Sequence, residues 1–336
     1  MRWLALDIGG ANLKVADGHG YAAVQAFALW RAPERLAVEL ARLIEKSPPC
    51  DAIAVTMTGE LADGYSSRAA GVEAIVAAMR EAAGGRNVVF YRTDGKFTAE
   101  FDPGDWLALA ATNWRALAQW AIRLTGGESA LLVDVGSTTV DIIPLVGNRV
   151  AAAGSDDYGR LRSGELVYTG VERTPLCALV EAVDLEGEIC PVAAELFATT
   201  LDAYLVLGEA SEDAENVGTA DGRPRTRAAA LTRLGRMVCR EIDEAEAGTL
   251  AWQVRLAQLQ KLEIAGRAVL DRMTASPEIV IVSGHGDFLA SDLLERWDLG
   301  PGQVTAISLA AELGPDIARC APAHALAVLA AETPPT

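Results

Sequence analysis

Lysine is scarce in this chain: four lysines stand against twenty-five arginines in 336 residues. Histidine is scarcer still, at three, and no His-Asp-Ser or Cys-His spacing recommends a nucleophilic triad. The five cysteines (Cys50, Cys177, Cys190, Cys239 and Cys320) never form a CxxC pair. Odd in number and scattered, they fit reduced thiols better than a disulfide framework or a zinc site. No uncharged apolar run reaches the roughly 18 to 20 residues that a membrane span needs, although 51% of the residues are hydrophobic. The first residues lack the form of a secretory signal, because Asp7 interrupts the apolar run at 3–6 and Gly9 and Gly10 follow as a turn. A cytoplasmic location is the expectation. Net positive charge is lacking too. A formal charge of -17 repels nucleic acid and anionic membrane surfaces at long range, so the expected partners are small-molecule substrates. The oligomeric state stays open. An anionic ligand would have to be held locally, by glycine-loop amides or a metal.

What is present is a repeat. Residues 4–15 read LALDIGGANLKV and residues 131–142 read LLVDVGSTTVDI, with Asp7 and Asp134 lying 127 positions apart. Each copy is an apolar strand ending in Asp, a glycine turn and a second strand, with Lys14 in the first where Asp141 stands in the second. A chain of this length suits two domains of about 150 residues. The first, 1–126, alternates strand and helix: strands at 4–8, 52–57 and 87–91, a helix with Leu36, Leu40, Leu43 and Ile44 at helical spacing, another at about 71–83, and a longer helical segment at about 105–125 that ends on Gly126-Gly127. The second, 127–336, restarts with three short strands, passes a loop-rich stretch at about 154–175 and a predominantly helical insertion at about 175–274, and resumes with a strand at 278–284. A strand near 303–308 and an alanine-rich helix after Pro322, expected to pack back on the first domain, close the chain. The polar stretch containing TADGRPRTR reads as an excursion to solvent, with Arg223 and Arg225 facing water.

A strand that ends in Asp and turns at once on glycine presents backbone N–H groups as an anion-binding concavity, with a carboxylate fixed beside them. Two such copies facing one another would clamp a diphosphate through Gly9, Gly10 and Asn12 on one side and Gly136, Ser137, Thr138 and Thr139 on the other. Asp7 and Asp134 would hold a hydrated Mg²⁺, which prefers oxygen ligands and keeps several waters. A third glycine loop, SGHGDF at 283–288, follows an apolar strand and would lie near the mouth of the cleft, adding Gly284 and Gly286. His285 between those glycines reads as a turn residue, and Glu60 as a loop acid.

These stretches resemble the actin, Hsp70 and sugar-kinase superfamily: LALDIGGANLKVA its first phosphate loop, LLVDVGSTTVDIIPL its second, VIVSGHGDFLA its adenosine loop. The resemblance implies an α/β fold of duplicated actin-like, ribonuclease H-like domains around a central cleft, with a helical insertion in the second. VTMTGELAD, YTGVERTPLCAL, TADGRPRTR and RLGRMVCRE are similar to the hydantoinase A and oxoprolinase-like branch. Within it they resemble the family tied to methanofuran biosynthesis and tetrahydromethanopterin-linked one-carbon transfer. That resemblance implies a transferase that condenses an aminomethyl-furfuryl diphosphate with the phenol of a glutamyl-tyramine or tyrosine and releases pyrophosphate. Asp141 would be the base, with Glu60 in reserve, and Lys14 would stabilise the leaving group. Ala11 departs from the superfamily, whose kinases carry a hydroxyl there, and this weakens the expectation of ATP γ-phosphate handling. The rival readings are an ATP-dependent kinase or amide-ring hydrolase, with a nucleotide on SGHGDF, and a non-catalytic actin-like scaffold.

Overall fold

The computed structural model describes residues 1–297, 299 and 304–333. β1 (Trp3–Ile8), β2 (Asn12–Ala16) and β3 (Ala22–Ala26) form an antiparallel meander. It is followed by α1 (Leu36–Lys46), β4 (Ala52–Met57), α2 (Arg68–Ala82), β5 (Asn87–Tyr91) and β6 (Phe97–Thr98), giving a sheet of order β3-β2-β1-β4-β5-β6. α3 (Asn113–Ala121) leads to the second sheet, which opens with β7 (Ala130–Val135), β8 (Val140–Val146) and β9 (Arg149–Val150), then α4 (Asp157–Ser163) and β10 (Leu166–Val167). The hairpin β11 (Ala182–Leu185) and β12 (Glu188–Pro191) and the helices α5 (Thr200–Leu207), α6 (Arg227–Met237) and α7 (Glu244–Leu270) intervene. The chain ends with β13 (Ile279–Gly284), α8 (Ala290–Arg296), β14 (Thr305–Ser308), α9 (Leu309–Leu313), α10 (Pro315–Arg319) and α11 (Ala321–Glu332). The second sheet runs β10-β8-β7-β13-β14, with β9 on β8.

The two sheets share one plan. β1 pairs antiparallel with β2 and parallel with β4, as β7 does with β8 and β13. Helices cover both faces of the central strands, so all six residues of β1 and of β4 are buried, which is why both read as continuous apolar runs. Side chains alternate between two cores. Leu4, Leu6 and Ile8 meet Leu40 and Leu43 of α1 and Val72 and Ile75 of α2. Trp3 and Ala5 meet Ala116 of α3 and Leu326, Ala327 and Ala330 of α11. In the second sheet Leu131 and Val133 pack with Leu259 and Leu262 of α7, while Ala130 and Leu132 face Trp114 and Leu117 of α3 and Ala321 and Ala325 of α11. α3 and α11 therefore fill the layer that both sheets share. The alanines of α11 let two sheets approach one helix.

The insertion has a core of its own, and α7 ties it to the second sheet. Leu250 and Val254 enter the insertion core, and Leu259 and Leu262, further along the helix, enter the sheet core. A capping box of Asp243 and Glu246 sets where this helix begins. The sequence reading of 175–274 as predominantly helical misses β11 and β12. Their two-residue turn puts Glu186 at φ 57 and Gly187 at φ 86, a left-handed pair usually written Asn-Gly or Asp-Gly. The helix expected over about 105–125 is shorter, because Ala111 at φ 48 breaks it before α3. The strand expected near 303–308 is β14; residue 303 lies outside the described residues. Among the described residues no helix is long and apolar enough to cross a membrane.

Candidate active site

The two hairpins meet at a cleft of about 430 Å³. Register explains the divergence in the repeat: Asp7 lies opposite Lys14 across β1 and β2, and Asp134 lies opposite Asp141 across β7 and β8. All four side chains line the cleft. The turns close alike, Gly9 N–H donating to the Asn12 carbonyl at 3.0 Å and Gly136 N–H to the Thr139 carbonyl at 2.9 Å. A Cβ on Gly9 would sit 2.9 Å from that Asn12 oxygen, closer than a real Cβ comes, and one on Gly136 would sit 3.2 Å from the Thr139 oxygen, a tight contact that the neighbour would have to relieve. The turn carbonyls face away and are paired: Gly10 accepts from Leu29 N–H at 2.9 Å, Ala11 from Phe27 N–H at 3.0 Å, and Gly136 from Val171 N–H at 3.1 Å. Among the described residues the N–H groups of Gly10, Ala11, Ser137 and Thr138 donate to nothing in the chain. Asn12, Thr139 and these four residues also line the cleft, as do Asn113 in the first turn of α3 and Pro322 in the first turn of α11. Two helix amino termini thus add their positive dipole ends.

Asp7 and Asp141 are buried and Asp134 is half-buried. Burial pushes Asp7 up from its ordinary 3.8 to about 6, opposed by Lys14 and reinforced by Asp134. Its Oδ1 has no hydrogen-bond partner among the described residues. Burial also raises Asp134, against the pull of Lys14. Asp141 reaches about 6, burial outweighing the Arg160 guanidinium bonded to it. A raised folded-state pKa means that Asp7 favours the fold fully below its ordinary pKa, and that this contribution is lost as pH rises through about 6. Asp7→Asn is therefore expected to stabilise the ligand-free protein at pH 7.5 by about 2 to 3 kcal/mol, the cost of ionising a carboxyl so displaced. That advantage should vanish near pH 4. Urea midpoints at the two pH values check this, and the same gain at both would contradict it.

Several residues sit elsewhere than the sequence suggested. Glu60 is 1% exposed, is absent from the cleft wall and is held by Arg68 at 2.8 Å; it is neither solvated nor facing the site. Gly284 and Gly286 sit behind the wall, where a Cβ on Gly284 would lie 2.9 Å from Asp134 Oδ1. A Cβ on Gly284 would meet the Val135 carbonyl at 2.2 Å, and one on Gly286 would meet Val135 Cγ1 at 2.4 Å, so this loop is pressed onto β7. His285, off the wall as well, has Nε2 3.7 Å from Glu172 Oε1, and burial drives its pKa down to about 4, leaving it neutral. Arg225 does not face solvent as expected: it pairs with Glu172 at 2.7 Å and is largely buried. Arg223 does remain exposed.

Trp30, Asn113, Arg160, Tyr168 and Arg173 are among the cleft residues that carried no sequence signal of their own. Arg160, 1% exposed, bonds Asp141, lies 3.5 Å from Asp157 and sits 4.1 Å over the Trp114 ring. Arg68 bonds Asp157 at 2.6 Å as well as Glu60, so one chain of charges crosses from α2 to the second hairpin. Tyr168 and Arg173 fall in YTGVERTPLCAL, the stretch singled out by resemblance, which was the available signal.

A chain of the PilM–PilN type IV pilus biogenesis complex is similar in fold, with a TM-score of 0.50 at 13% identity over 98% of each chain. The fold is a pair of duplicated actin-like domains around a cleft. A protein of Methanocaldococcus jannaschii is 30% identical over 332 residues, 97% of this chain and 96% of its own. One of Methanococcus vannielii is 28% identical over 207 residues, 60% of this chain and 90% of its own. Both bear the name (4-{4-[2-(gamma-L-glutamylamino)ethyl]phenoxymethyl}furan-2-yl)methanamine synthase. With a relative named as a synthase matching 97% of its length, the chain is an enzyme. The hydantoinase/oxoprolinase pattern matches residues 51–323, and the chain belongs to that family.

Proposed function

We propose that the protein joins an aminomethyl-furfuryl diphosphate to the phenol of a glutamyl-tyramine or tyrosine, releasing pyrophosphate, as a transferase of methanofuran-type cofactor biosynthesis in the cytoplasm. The relatives' name describes the ether such a reaction makes. The observation that carries the reading is the asymmetry of the paired hairpins: both turns present free N–H groups among the described residues, but Lys14 on one suits an anionic leaving group and Asp141 on the other suits a phenol.

The methylene C–O bond breaks with its electron pair leaving on the diphosphate. The furan oxygen spreads the resulting positive charge over the ring. The N–H groups of Gly10, Ala11, Ser137 and Thr138, with the Lys14 ammonium, receive the charge that builds on the leaving oxygen. A phenol lone pair then forms the new C–O bond, and the phenolic proton passes to Asp141, whose raised pKa makes it a better base than an ordinary carboxylate.

The wall carries five acidic side chains (Asp7, Asp63, Asp134, Asp141, Asp157) against three cationic ones (Lys14, Arg160, Arg173), so a diphosphate needs a further cation. The residues fit Mg²⁺: Asp7 offers a buried oxygen without a partner among the described residues, and Asp134 lines the same cleft from the other hairpin. Among the described residues no group of three or more His, Cys, Asp or Glu could hold a metal alone. Two carboxylates completed by water and substrate oxygens are the usual setting for Mg²⁺. When bound, that ion would neutralise charge on the departing diphosphate.

The test is to offer the protein, with Mg²⁺, furfuryl diphosphate plus a tyramine-type phenol, and separately ATP. Pyrophosphate and the aryl ether should appear with the first. ADP from the second, with no ether from the first, would establish the ATP-dependent reading instead; turnover of neither would favour the scaffold.

A further inference from the structure

The stretch that follows β10 is laid directly on the second glycine turn. Glu172 and Arg173 N–H groups both donate to the Ser137 carbonyl, at 3.1 and 3.0 Å. A Cβ on Gly170 would lie 2.4 Å from Ser137 C and from Thr138 N, so the contact tolerates only glycine there. On the opposite side Trp30 follows Leu29, whose N–H donates to the Gly10 carbonyl of the first turn at 2.9 Å. Each turn thus carries one side chain at the cleft mouth, and the two meet: the Arg173 guanidinium lies 4.5 Å over the Trp30 ring. Arg68, Arg160 and Arg225 are committed to carboxylates. Arg173, among the described residues, makes no ion pair and no side-chain hydrogen bond, although it lines an acid-rich cleft.

We propose that Trp30 and Arg173 form the receptor for the furfuryl ring and its diphosphate, Arg173 swinging from the indole onto the diphosphate and the vacated indole face taking the ring. This rests on the proposed condensation. A guanidinium and a furfuryl cation are both planar, delocalised and singly charged, so a face that holds one suits the other, and indole is the strongest aromatic partner for a cation. Because the cation forms only as the C–O bond breaks, the attraction is greater in the transition state than with neutral substrate. The freed guanidinium offers two parallel N–H donors to phosphate oxygens.

The experiment uses the full-length protein with Trp30→Phe, Trp30→Leu, Arg173→Lys and Arg173→Gln. Inorganic pyrophosphate with Mg²⁺ is titrated by calorimetry and by tryptophan fluorescence. Arg173→Gln should bind it about tenfold more weakly, the scale of a lost charge-assisted pair. The wild-type emission change should disappear in Trp30→Phe. In turnover, Trp30→Leu should slow consumption of furfuryl diphosphate about tenfold and raise the share of furfuryl alcohol, with Trp30→Phe recovering most of the rate. Undiminished pyrophosphate binding by Arg173→Gln overturns the anion half, and wild-type rates in Trp30→Leu overturn the ring half. If the wild type itself consumes no furfuryl diphosphate, the condensation fails and the ring half falls with it, while the pyrophosphate titration still decides Arg173.

Discussion

Asp134→Asn is expected to lower kcat by about 10² to 10³, the range seen when one preorganised electrostatic group is lost. The amide keeps the shape of the carboxylate at the end of β7 but not its charge, so the cation that offsets the diphosphate would be held by Asp7 alone. Lys14→Met should slow the same step from the opposite side, for every phenol tried. Asp141→Asn should fail differently, because Asp141 stands on the other hairpin from Lys14. Ionisation would continue, and the cation would be captured by water, or by phenols acidic enough to arrive ionised. The pH profile separates these cases. Asp141, held up to about 6, acts as a base only when ionised, so coupling in the wild type should fall as pH drops through about 6. Asp141→Asn should lack the part of that limb which Asp141 contributes. The measurement is aryl ether against furfuryl alcohol across phenols of graded acidity. Equal rescue of Lys14→Met and Asp141→Asn by acidic phenols, or rescue of neither, would show that the hairpins do not divide the labour. Near-normal turnover in Asp134→Asn would remove that residue from the mechanism.

Arg160→Met is expected to cost about 3 to 5 kcal/mol of folding stability, the usual consequence of removing one partner from a buried ion pair. Arg160 is 1% exposed, bonded to Asp141, near Asp157 and stacked on Trp114. Its loss leaves the Asp141 carboxylate buried with no countercharge bonded to it, beside Asp134, whose charge already pushes the Asp141 pKa up. Arg160→Met combined with Asp141→Leu should recover much of the loss, since removing both partners avoids the unpaired charge. Urea denaturation of the single and double variants gives the comparison. A loss below about 1 kcal/mol, the level of a surface pair, would mean that Arg160 is not buried against Asp141 as described. Because α3 carries Trp114 and belongs to the layer between the sheets, the same variant should also loosen the contact between the two halves of the cleft.

The sequence by itself determined whatever depends on near neighbours in the chain. A strand covered on both faces must read as an apolar run, as LALDI and LLVDV do. A turn whose Cβ would strike a carbonyl three residues on calls for glycine, as at Gly9, and crowds any other residue, as at Gly136. A tight hairpin also counts out its own register, so that an Asp seven positions before Lys14 or before Asp141 faces it across the pair. The duplicated fold, the paired acids and the glycine turns follow from such local rules, applied twice.

Only the tertiary structure decided what joins distant segments. Arg160 reaches Asp141 and Arg68 reaches Asp157. Arg225 turns in to Glu172, and Arg173 meets Trp30, with no period or spacing to announce any of these pairs. Glu60 looked like a loop acid, and is buried where Gly71 of α2 packs on its backbone, a Cβ there lying 2.3 Å from the Glu60 carbonyl. The glycines of SGHGDF resembled a ligand loop, and the structure shows what the spacing could not, that they press on Val135 and, at Gly284, on the Asp134 carboxylate. Long side chains of one charge can reach many partners of the other, and only the packing of two sheets about α3 and α11 selects among them.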